Sequence, residues 1–207
     1  LGMFFGPIQA MGDLYNVVLS AAASAERIFQ LLDTPPQIVN CADAAPLPGI
    51  RGHIVFEHVF FRYDTTPSDK WVLKDLHFEA RPGETVALVG ATGSGKTSII
   101  SLIARFYEPQ QGRLLMDGLD LRTTTVESLR SQIGIVTQEN FLFTGTVLEN
   151  LKFGRPGATD EEVQEAARTL GTHDMILRLE KGYETPVSER GGNLSAGERQ
   201  LLTFTRA

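Results

Sequence analysis

The run Gly90-Ala91-Thr92-Gly93-Ser94-Gly95-Lys96-Thr97 constrains the fold more than any other feature of the chain. It fits G-x-x-x-x-G-K-[ST] and follows Thr85-Val86-Ala87-Leu88-Val89, an apolar run without alternation, as expected of a strand buried on both faces of a parallel sheet. A helix is predicted after the loop, from Lys96 to about Phe106. Glycines let the loop wrap a phosphate with its N–H groups pointing inward, where a Cβ would obstruct the approach. Lys96 then supplies a point charge to the outer phosphates, Thr97 a hydroxyl for Mg²⁺, and the first turn of the helix its positive end. By itself the pattern specifies a nucleoside triphosphate and no more.

The rest of the chain reads as elements arranged around that loop. Ile8, Met11, Leu14, Tyr15, Val18, Leu19, Ala22, Ile28, Leu31 and Leu32 recur mostly three or four apart, which predicts one apolar helical stripe. Pro7 would kink or begin this helix, and Asp33-Thr34-Pro35-Pro36 ends it, because a residue before proline is pushed out of the helical region. Periodicity alone favours an amphipathic helix packed on a core over a helix leaving a membrane. Residues 34–50, rich in proline, read as a linker. Ile54 to Phe60 and Leu76 to Ala80 are strand-like, and Arg81-Pro82-Gly83-Glu84 is a turn. Asp117-Gly118 between two apolar runs is a hairpin signal, and Ile133 to Thr137 reads as a further short strand. Beyond Asn140 the texture turns helical. Thr159-Asp160-Glu161-Glu162 is a capping box, continued by Val163, Ala166, Ala167 and Leu170. The order implies an α/β domain with a helical lobe.

Composition enters as an exclusion. A net charge of −6 leaves no basic footprint for nucleic acid. Cys41 is the single cysteine, so neither a disulfide framework nor a thiol metal site is expected. No apolar run is long enough for a complete membrane span, no signal-peptide pattern is present, and neither end of the chain reads as a natural terminus.

Three further features are ambiguous in isolation. Tyr63, at the end of the first strand, fits a core or edge tyrosine, or a ring that stacks on a base. Gln138, ending Ile133 to Thr137, fits a loop glutamine or one that reaches a metal or its water. Leu194-Ser195-Ala196-Gly197-Glu198-Arg199-Gln200 is first a helix start with an S-x-x-E box, and second a candidate anion site.

In this order the pieces resemble the ATP-binding cassette transporter family. Residues 90–97 look like its Walker A loop, with Ser98 next to it, and Tyr63 sits where its adenine-stacking aromatic lies. Gln138 in Ile135-Val136-Thr137-Gln138 matches its Q-loop, and Leu194 to Gln200 resembles the signature L-S-G-G-Q. Glu189-Arg190-Gly191 and Thr146-Val147-Leu148-Glu149-Asn150 are similar to exporter segments that contact the membrane domain. Ser24 to Phe29 is similar to the end of an exporter's last membrane helix. Two signature positions depart from the pattern: Ala196 replaces a glycine and Glu198 a glutamine.

The resemblance implies an α/β P-loop NTPase cassette, with a parallel sheet core, an antiparallel β part and a helical lobe. Residues 1–33 would be the end of a membrane-domain helix, 34–50 a linker, and 51–207 a cassette truncated after the signature. It implies ATP and Mg²⁺ as cofactors. Tyr63, Gly90, Ala91, Thr92, Gly93, Ser94, Gly95, Lys96, Thr97, Ser98 and Gln138 would act on one nucleotide, with Thr97 and Gln138 on the metal. Ser195, Gly197 and Glu198 would act in trans on the nucleotide of a second cassette, paired head to tail as a homo- or heterodimer. The expected function is ATP hydrolysis driving export across the cell membrane, with this domain on the cytoplasmic face. Alternatives are a degenerate cassette that binds without turnover and a soluble cassette ATPase.

The family's catalytic glutamate and switch histidine would follow Ala207. The 207-residue chain alone is therefore expected to be inactive and poorly soluble, with Val86 to Val89 incompletely covered. His53, His58, His77 and His173 are read as structural.

Overall fold

The computed structural model describes residues 2–67 and 70–207, with side chains from residue 10 onward; the side chains of Pro7 and Ile8 lie outside the described set. Helix α1 (Gly2–Leu32) runs through Pro7 rather than starting at it. It closes where Thr34 donates its hydroxyl to the Gln30 carbonyl. Its stripe, including Leu14, Val18, Leu31 and Leu32, is exposed. No helix among the described residues is long and apolar enough to cross a membrane. The chain divides into two compact units, residues 1–45 with 51–126 and residues 46–50 with 127–207.

The first unit is built on strands β1 (Ile54–Phe61), β2 (Leu73–Ala80), β3 (Gln111–Met116) and β4 (Leu119–Asp120), with helix α2 (Lys96–Ile103) between β2 and β3. The sheet order is β2-β1-β3-β4 and every pairing is antiparallel. Phe56, Val59 and Phe61 of β1 are buried. The step from 56 to 59 breaks the two-residue period because the register shifts there, with His58 in the left-handed region at φ 50°. A bulge adds one residue, so the buried face changes from even to odd positions. The opposing Asp75 also has positive φ, and its carboxylate meets His58 Nδ1 at 2.7 Å. Asp117 and Gly118, at φ 51° and 85°, make the expected tight turn between β3 and β4. The Asp117 carboxylate also accepts the Arg51 and His53 amides, which tie the start of β1.

The parallel sheet predicted at 85–89 is not formed among the described residues. Residues 85–89 lack assigned secondary structure, as do 133–137, and Val89 is 93% exposed. A strand buried on both faces holds its shape through neighbours on each side, and no described residue supplies one. The predicted helix after the loop is also shorter. It ends at Ile103 because Arg105, at φ 50°, leaves helical geometry.

The second unit carries α4 (Val147–Lys152), α5 (Asp160–Thr169), α6 (His173–Leu177) and α7 (Ala196–Arg206); α3 (Val126–Arg130) stands at the boundary between units. Leu142, Val147, Leu151, Val163, Ala167, Ile176, Tyr183, Val187, Leu194 and Leu202 form its core. Three helices begin with reciprocal capping boxes: Thr146 with Glu149, Thr159 with Glu162, and Ser195 with Glu198. Each satisfies two amides that a helix start leaves unpaired. Strands β5 (Gly145–Thr146) and β6 (Pro186–Val187) pair antiparallel and clip two distant loops together.

The Asn150 side chain is buried and ties down the preceding turn. It accepts the Phe143 amide at 2.8 Å and donates to the Phe143 and Thr146 carbonyls at 2.9 Å each. Asn150→Ala leaves those backbone groups unpaired and is expected to destabilise the protein by about 2–3 kcal/mol, read as a lower urea midpoint. An unchanged midpoint would show that water replaces the amide at no cost.

Candidate nucleotide site

The loop between residue 89 and α2 is closed by its own backbone, Ser94 N–H donating to the Ala91 carbonyl at 3.2 Å. Gly95 is the N-cap of α2 at φ 88°. A Cβ there would lie 2.7 Å from Leu73 Cδ2 and 3.3 Å from the Val72 carbonyl, so glycine is required both for conformation and for space. Gly95 offers no side-chain cap. The first amides of α2 therefore point out of the helix start with its partial positive charge, the arrangement that receives phosphate.

Lys96 Nζ donates to the carbonyls of Gly90 and Ala91, each at 2.9 Å, which holds the ammonium across the loop. Gly90, Ala91, Thr92, Gly93 and Ser94 are exposed, as is Thr97, while Ser98 is buried. Tyr63 is half-buried, and its hydroxyl meets Ser98 Oγ at 2.8 Å, linking the end of β1 to the first turn of α2. Its ring stands edge-on to Phe61 and to Tyr107, with centroids 4.8 and 5.0 Å away. The structure thus brings Tyr63, the loop and Ser98 together in the first unit. Tyr107 was not legible as part of this cluster; its only signal is an aromatic immediately after the α2 stripe.

Gln138, Ser195, Gly197 and Glu198 belong to the second unit. Gln138 is exposed, next to a turn in which the Thr137 hydroxyl donates to the Glu139 carbonyl at 2.8 Å. Ser195 Oγ accepts the Glu198 amide, and Glu198 Oε2 accepts the Ser195 amide at 2.7 Å. That backbone donor holds the Glu198 carboxyl below the ordinary carboxylate range. Glutamate thus fills the capping role at this position. Ser195, Ala196 and Gly197 are exposed at the helix start, and nothing lies within 4 Å of where a Gly197 Cβ would stand.

The 189–191 and 141–150 segments are joined directly. Gly145 pairs with Val187 and Thr146 with Pro186, and a Cβ on Gly191 would touch Leu142 at 3.3 Å. Beside them Phe141, Phe143 and Phe153 form an exposed aromatic cluster, with successive centroids 5.0 and 4.4 Å apart. The four histidines each have a partner ring or side chain: His53 with Glu79, His58 with Asp75, His77 against the His58 ring, and His173 with Tyr183.

The family model described as "ABC transporter" matches residues 73–207. The chain is 47% identical, over its whole length and 34% of the relative's, to an uncharacterized ABC transporter ATP-binding protein, YknV, of Bacillus subtilis. It is 45% identical, over 97% of its length, to 31% of a fatty acid ABC transporter ATP-binding/permease protein of Mycobacterium bovis. A solved bacterial Atm1-family ABC exporter with ATP bound superposes with a TM-score of 0.80 at 38% identity, covering 99% of this chain and 35% of that one. The chain thus spans about a third of the length of each of these three proteins. With the match beginning at Leu73 and running through the phosphate loop to α7, this chain belongs to the ABC transporter family.

Proposed function

We propose that this chain is the ATP-binding part of an exporter subunit, in which hydrolysis of ATP drives a substrate across the cell membrane from the cytoplasmic side. The observation that carries the reading is the uncapped start of α2, with the Lys96 ammonium braced across the loop on Gly90 and Ala91. Lys96 and the loop amides bind the phosphates, and Tyr63 flanks the base. Thr97 offers its hydroxyl to Mg²⁺, and Gln138 is assigned as a second ligand by the family resemblance alone. A divalent ion carried by a triphosphate needs few protein ligands, because phosphate oxygens and water complete its shell.

A second cassette, identical or related, pairs head to tail, and its bound ATP meets Ser195 and Gly197 at the start of α7. Closure then depends on the γ-phosphate, and hydrolysis removes the group that the start of α7 holds. The clipped loops at 141–150 and 185–195 pass that movement to the membrane helices. The exposed apolar stripe of α1 favours this reading over a soluble cassette ATPase.

The deciding experiment is membrane fractionation of the full-length protein, followed by Mg-ATP hydrolysis by the reconstituted fraction. A membrane-bound protein that turns over ATP is the expected result. Membrane association with ATP binding but no turnover would instead identify a degenerate cassette, and a fully soluble protein would remove the transport reading.

A further inference from the structure

Residues 36–45 follow α1 and are mostly exposed, so little apolar burial holds them in place. Polar contacts fix them along their length instead. Gln37 Nε2 donates to Asp64, the residue after Tyr63, at 3.1 Å. Asn40 Oδ1 accepts the Val126 amide at 2.8 Å. Ala45 exchanges backbone bonds with Thr123 and Thr125 at 3.1 and 3.0 Å, a parallel bridge to the segment that follows β4.

The central attachment is Arg105, whose side chain is 3% exposed although it is a permanent cation. Its guanidinium donates to Glu108 at 2.9 Å, to the Thr124 carbonyl at 2.6 Å and to the Val39 carbonyl at 3.3 Å. A planar fork satisfies acceptors on three segments only while they stay in register. Arg105 also sits at φ 50°, a left-handed geometry that costs a non-glycine residue energy and persists only where the surroundings impose it. Its amide still bonds the Leu102 carbonyl, and Phe106 N–H bonds Ser101, so this strained residue is fixed to the last turn of α2. The opposite end of α2 is the phosphate loop. A helix of this length is a rod of roughly 12 Å, so a shift at one end reaches the other.

We infer that residues 36–45 are a strap that carries the state of the nucleotide site to α1, with Arg105 as the positioning residue that grips it. The inference rests on the nucleotide reading above. The Arg105 bonds to Glu108, Thr124 and Val39 lie at the end of α2 away from the loop, so loosening them uncouples movement from binding rather than removing binding.

The test is amide hydrogen exchange on the full-length protein with and without Mg-ATP, paired with steady-state ATPase kinetics. In the wild type, Mg-ATP is expected to protect residues 90–98 and to change exchange across 36–45 and 122–126. In Arg105→Gln, 90–98 still respond and KM for ATP stays within about twofold, but 36–45 no longer respond and kcat falls about tenfold, as expected when a coupling is lost. The double variant Gln37→Ala, Asn40→Ala alters only exposed side chains of the strap and gives the same split if Arg105→Gln does not fold. Protection of 90–98 in the wild type with no change at 36–45 overturns the strap while leaving the nucleotide site standing. Equal losses in KM and thermal stability in both variants reduce Arg105 to a structural clamp, which also overturns it. No response at 90–98 removes the nucleotide reading and the strap together.

Discussion

Lys96→Ala is expected to reduce ATP hydrolysis by the full-length protein to background and to weaken ATP binding about 100-fold. A charge-assisted bond to phosphate contributes roughly 1.5–3 kcal/mol, and the lysine supplies more than one. The ammonium is already held at the loop by the carbonyls of Gly90 and Ala91, so little ordering is needed when the anion arrives. Alanine removes both the charge and that brace. The fold should survive, since the core of the first unit is made by Phe56, Val59, Phe61 and Leu102 rather than by the loop. Lys96→Arg keeps the charge and should recover part of the binding, because a planar fork does not reproduce a compact ammonium between two carbonyls. Titration with ATP and a thermal melt of each variant separate the two effects. Wild-type turnover in Lys96→Ala would mean that this loop does not hold the reacting phosphates.

The phosphate loop was legible because its requirements are local: glycines where the backbone turns, a lysine and hydroxyls where the helix starts. The capping boxes and the Asp117-Gly118 turn were legible for the same reason, each being decided within four residues. The fate of Val86 to Val89 was not. Its apolar run describes a strand only if neighbours exist, and neighbours come from distant sequence. The bulge at His58 was equally hidden, although its trace is visible afterwards in the spacing of Phe56, Val59 and Phe61. Arg105 was invisible because an arginine in the last turn of a predicted helix ordinarily reads as a solvated end, and only the fold shows it buried. Residues 34–50 are rich in proline, but composition gave no hint that Gln37 and Asn40 fasten the first part of that segment.

Gly197→Asp is expected to leave the fold unchanged and to lower turnover about 100-fold or more. The position is open, with no atom outside its chain neighbours and its own helix backbone within 4 Å of a new Cβ, and it lies in the first turn of α7, where a carboxylate is favoured by the helix dipole. Replacing glycine inside a helix also tends to stabilise it. Melting temperature and the protein's own ATP affinity should therefore match the wild type, since Lys96 and its loop are untouched. What changes, if the cassettes pair head to tail as proposed, is the surface offered to the partner cassette. A fixed negative charge facing the γ-phosphate costs several kcal/mol as a like-charge contact, so the closed pair is not reached. Full turnover in this variant would mean that no phosphate approaches the start of α7, and that Ser195 and Glu198 serve only as its cap. The residual rate also reports on the assembly. A homodimer carries the substitution at both sites and loses both, whereas a heterodimer with an intact second signature retains one.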